Sequence, residues 1–381
     1  MDVVTPFVEV AQAIEESGGK DLSLCYQCAT CTGSCPWGFV EPLNIRQLIR
    51  LAQLGLEGYE GEDLWKCTTC NTCKIRCPRG VGIIDLVRSI RMMIGETGLI
   101  PQSLRSALGS VKSGGNPWMG KREDRNKWAA ELDIAPFDRT KHEYLLFACC
   151  MPSYDPRARK LVNAAVKVLR AGRISVGVLG SDESCCGESV RKIGDESLFS
   201  QLAKDNGGLF SKHKVEKILV LSPHCYHTFK NEYSSIGSTI QVVHISELLA
   251  ELIAAGKLNL KKPTTATVTY HDPCYLGRHN QIFDPPRKVL QALPGVTFKE
   301  MYRVGEQSLC CGGGGRMWME TKFGERFSDL RVPEALAVGA NILATACPYC
   351  ISMLEDSRLN LNKEEAIQIK DITELVAESL E

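Results

Sequence analysis

The sequence predicts an α+β multidomain protein in which an α-helical amino-terminal module precedes a duplicated α/β pair. Two cysteine-rich runs, at residues 25–36 and 67–78, are separated by a helical pattern. From Tyr144 onward, short apolar runs alternate with helical patterns, which favours parallel sheets. Ten further cysteines in this second region fall into two sets with the same spacing. We therefore expect modules at residues 1–100, 143–260 and 261–381, with a linker at 101–142.

Both cysteine-rich runs have the form C-x2-C-x2-C-x3-C-P, which holds cubane 4Fe–4S clusters in bacterial ferredoxins. The fourth cysteine of such a run usually binds the other cluster. The two expected ligand sets are therefore Cys25, Cys28, Cys31 and Cys77, and Cys67, Cys70, Cys73 and Cys35. Zinc or disulfides are the alternative, but neither requires this spacing twice.

Composition narrows the function further. Acidic and basic residues balance at 45 each, which argues against a nucleic-acid partner. The chain has 18 cysteines and its first residues lack the pattern of a secretory leader, so we expect metal binding in the reducing cytoplasm. No apolar run approaches the roughly 20 residues that a spanning helix requires, so we expect no direct membrane span.

Helical patterns surround the cysteine runs. Residues 3–17 carry apolar residues along one side of a helix. Between the runs, residues 42–55 predict a helix with Pro42 in its first turn, apolar residues at i, i+3, i+4 and i+7, and a terminal glycine. A third helix is expected at 83–94, ending at Gly95. Together they form an α-helical ferredoxin module that is larger than a minimal one.

The segment 101–142, predicted to be a linker or a surface strap, shows few periodic apolar residues. It contains a glycine- and proline-rich turn at 114–117 and a charged tract at 121–125 with three basic residues. A solvated turn is the favoured interpretation of this tract, and a partner-docking patch is the alternative.

The region after the linker has the residue pattern of an α/β fold. Apolar runs predict strands at 144–148, 174–179, 217–222, 268–270 and 342–346. Helical patterns lie between them at 158–169, 198–210, 246–255 and 287–293.

The ten remaining cysteines reveal an internal repeat. Each half contains a single cysteine, then a Cys-Cys-Gly triplet, then a Pro-x-Cys turn at the start of a helix. Equivalent positions are 124 or 125 residues apart, pairing Cys150 with Cys274, Cys185 and Cys186 with Cys310 and Cys311, and Cys225 with Cys350. The exception is Ser222, which stands in the register of Cys347.

This repeat indicates two further metal sites. The cysteines follow apolar strands, and strand ends are where α/β sheets place ligand sites. Adjacent cysteines are suited to neighbouring iron atoms of one larger cluster, and the following glycine lets the backbone donate N–H bonds to sulfide. Five thiols converge in the second half. Because a cubane uses four, five favour a different type of cluster.

These motifs resemble the D-type heterodisulfide reductase family of iron–sulfur oxidoreductases, whose members are related to a fusion of the C-type and B-type polypeptides. Flavoprotein-associated members and those associated with class II benzoyl-CoA reductase are similar. The resemblance covers nearly the whole chain outside the linker, and we call the two halves CCG domains after their triplet. The matching stretches are 154–157, 222–233, 271–278, 310–315 and 347–350.

The resemblance implies the ligands of the two CCG sites. The second CCG site is implied to hold a non-cubane 4Fe–4S cluster on Cys274, Cys310, Cys311, Cys347 and Cys350. The matching residues of the first CCG site are Cys150, Cys185, Cys186 and Cys225. Ser222 replaces the fifth cysteine there, which puts a second non-cubane cluster in doubt. A cubane or a zinc ion on four thiolates is expected ahead of an empty site, with Cys149 as an alternative fifth ligand.

Two functions follow from this resemblance. The first is an iron–sulfur electron-transfer subunit of a larger cytoplasmic complex in an anaerobe. Its partners are a flavoprotein, resembling heterodisulfide reductase A or electron-transfer flavoprotein, and other redox subunits. The alternative is a heterodisulfide reductase that cleaves a disulfide at the CCG sites.

No catalytic residue is assigned. His224, His227 and His271 lie beside the CCG cysteines in sequence, where they are either proton donors or packing residues. Neither a nucleotide-binding fingerprint nor a hydrolase constellation is present. A purely structural zinc protein is the weakest of the alternatives.

Overall fold

The computed structural model of the chain describes residues 5–41, 43–233, 240–316 and 326–381, with the side chains of these residues apart from 315 and 316. Residues 3 and 4 of the first predicted helix, and Pro42 of the second, lie outside them. The predicted α+β class is confirmed, because a helical amino-terminal region is followed by two small parallel sheets with their helices.

The amino-terminal region is helical around both cysteine runs. Its helices are α1 (Val8–Glu16), α2 (Thr30–Ser34), α3 (Ile45–Leu54), α4 (Asp63–Lys66), α5 (Thr72–Ile75) and α6 (Ile83–Glu96). Helix α3 begins where the side chain of Asn44 accepts a 3.0 Å hydrogen bond from the N–H of Gln47, and it ends at Gly55 as predicted. Helix α6 continues through Gly95, its predicted end, to Glu96.

The segment 101–142, expected to be a linker, is largely folded. It contains α7 (Gln102–Gly114) and α8 (Lys127–Glu131). Helix α7 buries an i, i+3, i+4, i+7 stripe that the prediction overlooked, formed by Leu104, Ala107, Leu108 and Val111. The solvated turn expected at 121–125 is wrong for Arg125, which is buried at the first CCG site.

Within the described residues, each half of the α/β region contains one four-stranded parallel sheet. The first has the order β2-β1-β3-β4, with β1 (Tyr144–Phe147), β2 (Val176–Gly177), β3 (Lys217–Val220) and β4 (Gln241–His244). The second has the order β6-β5-β7-β8, with β5 (Ala266–Tyr270), β6 (Val296–Phe298), β7 (Ile342–Thr345) and β8 (Gln368–Asp371). The two orders are equivalent, so the repeat in cysteine spacing is also a repeat in topology.

The strands that the sequence did not predict are edge strands. β4, β6 and β8 each lie at the margin of a sheet, and each carries exposed or half-buried residues. Continuous apolar runs occur only where both faces of a strand are buried. The central strands β1, β3, β5 and β7 meet that condition more closely and were predicted. The run at 174–179 also predicted a strand, which the structure has as the short edge strand β2.

Helices connect these strands in both halves. The first half contains α9 (Cys150–Tyr154), α10 (Pro156–Ala171), α11 (Glu188–Ile193), α12 (Glu196–Lys212), α13 (Pro223–His227) and α14 (Ile245–Ala254). The second half contains α15 (Asp284–Ala292), α16 (Gly313–Arg316), α17 (Ser328–Ala337), α18 (Pro348–Asn360) and α19 (Ile372–Ser379). A π-helical turn, Thr228–Glu232, extends α13.

Two apolar cores hold the halves together. Alternate residues of β1 face opposite sides, since Leu145 and Phe147 join the core that contains the cysteines while Leu146 joins a second core. The second core is shared by both sheets, where α10 packs on α19 and α14 packs on α15. The cysteines at the strand ends and the amino-terminal region therefore meet in the first core.

A half-buried arginine reinforces the contact between the halves. Arg157, from the stretch that matched the family, donates hydrogen bonds to Glu355 at 2.8 Å and Glu374 at 3.0 Å. It also donates to the backbone carbonyl of Ile369 at 2.7 Å. Because all three acceptors belong to the second half, the role of Arg157 is to position one half against the other.

Candidate metal centres

The two cysteine-rich loops of the amino-terminal region have the same backbone conformation. The residues before and after the second cysteine, Gln27 and Ala29, both have φ of 67°. Their counterparts Thr69 and Asn71 have φ of 53° and 68°. Positive φ is uncommon outside glycine, so its recurrence at matched positions shows that the chain wraps each loop in the same tight curve.

A threonine lies beside the second cysteine of each loop. Thr30 Oγ1 is 3.3 Å from Cys28 Sγ, and Thr72 Oγ1 is 3.3 Å from Cys70 Sγ. The hydrogen bond between Thr30 and Cys28 lowers the pKa of the Cys28 thiol. Both loops thus provide a hydroxyl that stabilises a thiolate.

The structure brings together both predicted sets of four cysteines. One pocket is lined by the first set, Cys25, Cys28, Cys31 and Cys77. In the second set, burial and the neighbouring Cys67, Cys70 and Cys35 thiols raise the pKa of Cys73 well above its usual value. The crossing of Cys35 and Cys77 between the loops therefore matches the expected pairing, while ligation of clusters stays a prediction.

The two sets differ in their exposure to solvent. Cys28 of the first set is exposed, and the neighbouring Tyr26 is 57% exposed. In the second set, Cys70 and Cys73 are buried. The first set is therefore accessible to a partner, and the second lies in the interior.

The second loop directly contacts the second CCG site. Thr68 Oγ1 lies 3.8 Å from Cys310 Sγ. Arg278 donates a 2.7 Å hydrogen bond to the backbone carbonyl of Cys70, and Asn71 donates one of 3.1 Å back to the carbonyl of Arg278. Interaction with Cys310, together with the charge of Arg278, lowers the pKa of Cys70 well below its usual value although burial opposes this.

Five thiols converge at the second CCG site, as the repeat implied. Neighbouring side chains follow the order Cys274, Cys310, Cys311, Cys350 and Cys347. Cys311 Sγ and Cys350 Sγ are 3.3 Å apart, too far for the roughly 2 Å bond of a disulfide. All 18 cysteines of the chain are free thiols. His271 also belongs here, because its ring nitrogen and these two sulfurs lie within 4.8 Å of one another.

The triplet glycines have the same role in both halves. Gly187 has φ of +85° and Gly312 has φ of +88°, a conformation that favours glycine. Each turns its N–H onto the first cysteine of its pair, with Gly187 N 3.4 Å from Cys185 Sγ and Gly312 N 3.2 Å from Cys310 Sγ. Such N–H bonds to sulfur stabilise negative charge at a cluster and tune its potential.

The first CCG site also contains a series of five thiols. Neighbouring side chains follow the order Cys150, Cys185, Cys186, Cys225 and Cys149. Ser222 is fully buried, and its hydroxyl has no hydrogen-bond partner among the described residues.

The backbone of Cys149 is strained. Its φ of +80° and ψ of 161° lie in a region that is essentially restricted to glycine. Such a conformation costs about 1–3 kcal/mol and persists at functional sites. Cys149 immediately precedes α9, so the strain sits where the chain leaves β1 for the cysteine-containing helix.

A buried arginine accompanies each CCG site. At the first, Arg125 donates a 3.1 Å hydrogen bond to Cys150 Sγ and lies 3.5 Å from Glu183. At the second, Arg278 donates hydrogen bonds to the backbone carbonyls of Cys70, at 2.7 Å, and of Ser308, at 2.5 Å. Both guanidinium groups have a raised pKa, since the nearby thiols outweigh burial, and both offset the negative charge of thiolates. Sequence reasoning missed them because arginines have no ligand-like spacing.

The two CCG sites are linked by residues that cross between halves. His224 and Tyr349 occupy the same place in their Pro-x-Cys turns, and their rings lie 4.4 Å apart. Burial lowers the pKa of His224, but Glu188, at 3.2 Å, and Cys347 raise it to about 10. Burial raises the pKa of Cys347, but Cys350 and His224 lower it to about 6. A histidine of the first half therefore places positive charge at the second site.

A cavity of about 180 Å³ opens beside the contact between His224 and Tyr349. Its lining includes Lys192, His227, Tyr275 and His279, with charges of both signs. The ring of Tyr275 stacks on His224 at 4.3 Å and on His279 at 4.1 Å. Tyr275 and Glu188 of the lining therefore both contact His224. His227, expected beside the ligands, also lines the cavity.

Free thiols in sets, N–H donors to sulfur and buried arginines together fit anionic iron–sulfur clusters, so the fold and sites define an iron–sulfur oxidoreductase. Family models agree: a 4Fe-4S dicluster domain matches residues 21–81, and the cysteine-rich CCG domain matches residues 144–230 and 268–355. In the described part of the chain, no helix is both long and apolar enough to cross a bilayer.

The chain is similar to several known proteins. It is 35% identical to the D-type polypeptide of the dihydromethanophenazine:CoB–CoM heterodisulfide reductase of Methanosarcina barkeri over 309 residues, covering 79% of this chain and 74% of that one. It belongs to the D-type heterodisulfide reductase family. It is also 39% identical to the probable iron-sulfur-binding oxidoreductase FadF of Bacillus subtilis and 36% identical to the EtfAB:quinone oxidoreductase of Syntrophomonas wolfei, over 78% of this chain. The chain spans only 43% of the length of each of these two.

Proposed function

We propose that the chain is an electron-transfer subunit of a larger cytoplasmic redox complex, passing electrons between a flavin-containing partner and the second CCG site. The contact of the Cys70 loop with Cys310 carries this proposal. Thr68 Oγ1 and Cys310 Sγ are 3.8 Å apart, and Arg278 binds both loops. Two candidate centres are thus in direct contact inside one core.

The proposed centres follow the predicted cysteine sets. The first ferredoxin set and the second are each assigned a cubane 4Fe–4S cluster, and the second CCG site a non-cubane one, within the proposed modules 1–100, 143–260 and 261–381. When bound, iron–sulfur clusters take up and release single electrons, at potentials set by hydrogen bonds and burial. The residues of the chain provide those conditions, through Thr30 and Thr72, the triplet N–H groups, and Arg125 and Arg278.

Electrons enter, in this proposal, at the exposed first set. Tyr26 and Cys28 are the accessible groups of that set, whereas the second set is enclosed. The name of the Syntrophomonas relative supports electron-transfer flavoprotein as the partner type. A flavoprotein resembling heterodisulfide reductase A, as in assemblies that feed class II benzoyl-CoA reductase, fits the same role.

Anaerobic stopped-flow mixing with reduced electron-transfer flavoprotein tests this function. We expect rapid bleaching of the cluster absorbance in the wild-type chain. Tyr26→Ala should slow the second-order step several-fold with unchanged iron content, because it removes exposed surface beside the entry point. Tyr302→Ala, at a site 91% exposed, is the matched control and should have no effect. A chain that dithionite reduces but the flavoprotein does not would refute the proposal.

The cavity favours a second candidate function, reduction of a disulfide. It gives a small molecule access to Tyr275, which stacks on the His224 that interacts with Cys347. An anaerobic assay with reduced viologen and heterodisulfide substrates distinguishes the two. Turnover that disappears in Cys311→Ala would favour catalysis, whereas fast reduction by flavoprotein without turnover would favour the conduit.

A further inference from the structure

We propose that Cys149 is the fifth thiolate ligand of the first CCG site, so that this site holds a five-thiolate iron–sulfur cluster and not a zinc ion. This inference deepens the proposed function and rests on its assignment of a five-thiolate cluster to the second CCG site. With Cys149, the first CCG site has five ligands, as the second has, and the fifth ligand comes from a different position in the chain.

The order of neighbouring thiols supports the equivalence of the two sites. In the second half, Cys347 is the terminal member of the series and interacts with Cys350. In the first half, the terminal member is Cys149, which interacts with Cys225, the counterpart of Cys350. Cys149 therefore occupies the place in the first series that Cys347 occupies in the second.

The two fifth cysteines come from different strand–helix junctions. Cys347 follows β7 and is the N-cap of α18, whereas Cys149 follows β1 and is the N-cap of α9. At each exchanged position the other half has a residue without a thiol: Ser222 in the register of Cys347, and Pro273 in the register of Cys149. The fifth cysteine is therefore at the β1–α9 junction in the first half and at the β7–α18 junction in the second half.

Two independent observations agree with this exchange. The Ser222 hydroxyl is buried without a hydrogen-bond partner among the described residues, so no polar contact fixes it in place of a ligand. Cys149 is buried in a backbone conformation that glycine adopts freely and other residues rarely do. A residue whose thiol had no role at this position would be expected to be glycine.

The ligand number decides between the candidate metals. A structural zinc ion takes four tetrahedral ligands, and a cubane takes four cysteines. Five converging thiols exceed both. The adjacent pair Cys185 and Cys186, with N–H donation from Gly187, repeats the arrangement of the second site. The geometry therefore favours the same type of cluster in both halves.

The test is metal analysis with Mössbauer spectroscopy on the full chain purified anaerobically. The variants are Cys149→Gly, Ser222→Ala and the double variant Cys149→Gly with Ser222→Cys. Glycine suits the local φ and keeps the fold, which circular dichroism checks. The double variant returns a cysteine to the register of Cys347.

We expect about 16 iron atoms per wild-type chain, four for each of four clusters. Cys149→Gly should lose about four iron atoms, or take up zinc, and lose the spectrum of the first site. Ser222→Ala should match the wild type, and the double variant should recover the lost iron. Wild-type protein with zinc at the first site, or Cys149→Gly with unchanged iron and spectrum, would overturn the proposal. Failure of the proposed function is distinguishable, because it appears as absent reduction of the wild-type chain by flavoprotein.

Discussion

The two CCG domains share a strand order and a set of strand–helix junctions, yet their sites have different surroundings. The second site adjoins the buried ferredoxin loop, where Thr68 meets Cys310. The first site is instead covered by the segment expected to be a linker, which inserts Arg125 against Cys150. Duplication has therefore preserved the scaffold, while the covering segments give each site its own electrostatic environment and access.

This difference indicates that the two CCG sites have different roles. The second site has a neighbouring centre, a charged His224 beside Cys347 and a nearby cavity. The first has a buried ion pair, Arg125 with Glu183. Under the proposed function, the second site exchanges electrons with the amino-terminal module, and the first influences it through the adjacent rings of His224 and Tyr349.

The largest expected effect comes from removing the buried arginine at the first CCG site. Arg125→Ala leaves Glu183 and Cys150 without their buried cation, and removing one partner of such a pair costs about 3–5 kcal/mol. We expect that loss in the free energy of unfolding, measured by anaerobic denaturant titration. Lys121→Ala, in the same segment but exposed, is the control and should change stability little. A loss below about 1 kcal/mol for Arg125→Ala would show that the segment covers the first site without stabilising it through Arg125.

A second comparison concerns the residues that cap equivalent helices. His244 ends β4 and caps α14, and Asp371 ends β8 and caps α19. Burial lowers the pKa of His244 to about 3 and raises that of Asp371 to about 7. The two halves should therefore respond to pH in opposite directions.

The signs follow from linkage. His244 contributes stability that is present above its unfolded pKa of 6.5 and is lost as pH falls toward 3, about 2 kcal/mol between pH 6.5 and 5. Asp371 contributes stability that is present below 3.8 and is lost as pH rises through 7, about 2 kcal/mol between pH 5 and 7. His244→Asn and Asp371→Asn retain a capping side chain. Each should flatten its own arm of the stability–pH curve, and a variant that flattened neither arm would contradict the shifts.

A smaller effect tests the crossing between halves. His224→Phe removes a cation beside Cys347 and keeps a ring for stacking on Tyr275. A hydrogen bond to a charged group is worth about 1.5–3 kcal/mol, so we expect the potential of the second site to fall by roughly 60–130 mV. Potentiometric EPR titration measures it. Tyr349→Phe, which keeps the ring and removes only a hydroxyl, is the matched control, and an equal shift in both variants would argue against the charge.

Much of the site could be predicted from sequence because cysteine spacing encodes it. The two ferredoxin sets, the repeat and the position of Ser222 all follow from counting along the chain. Strands β1, β3, β5 and β7 were predicted because both faces are largely buried, and the edge strand β2 was predicted from the apolar run at 174–179. The edge strands β4, β6 and β8 were missed because they carry exposed residues.

The remaining features depend on packing between distant segments. Arg125 lies 25 residues from Cys150 in sequence, and His224 meets Cys347 from the other half. No local pattern signals either contact. Helix α7 is a different case, since its apolar stripe was present in the sequence and was overlooked.

The central claim is that the second ferredoxin set and the second CCG site form one electron-transfer path. EPR of the partly reduced chain tests it most directly, through magnetic interaction between neighbouring centres. We predict an interaction in the wild type that disappears in Cys311→Ala and persists in Cys186→Ala, its counterpart at the first site. An interaction that survived Cys311→Ala but was lost in Cys186→Ala would contradict the account.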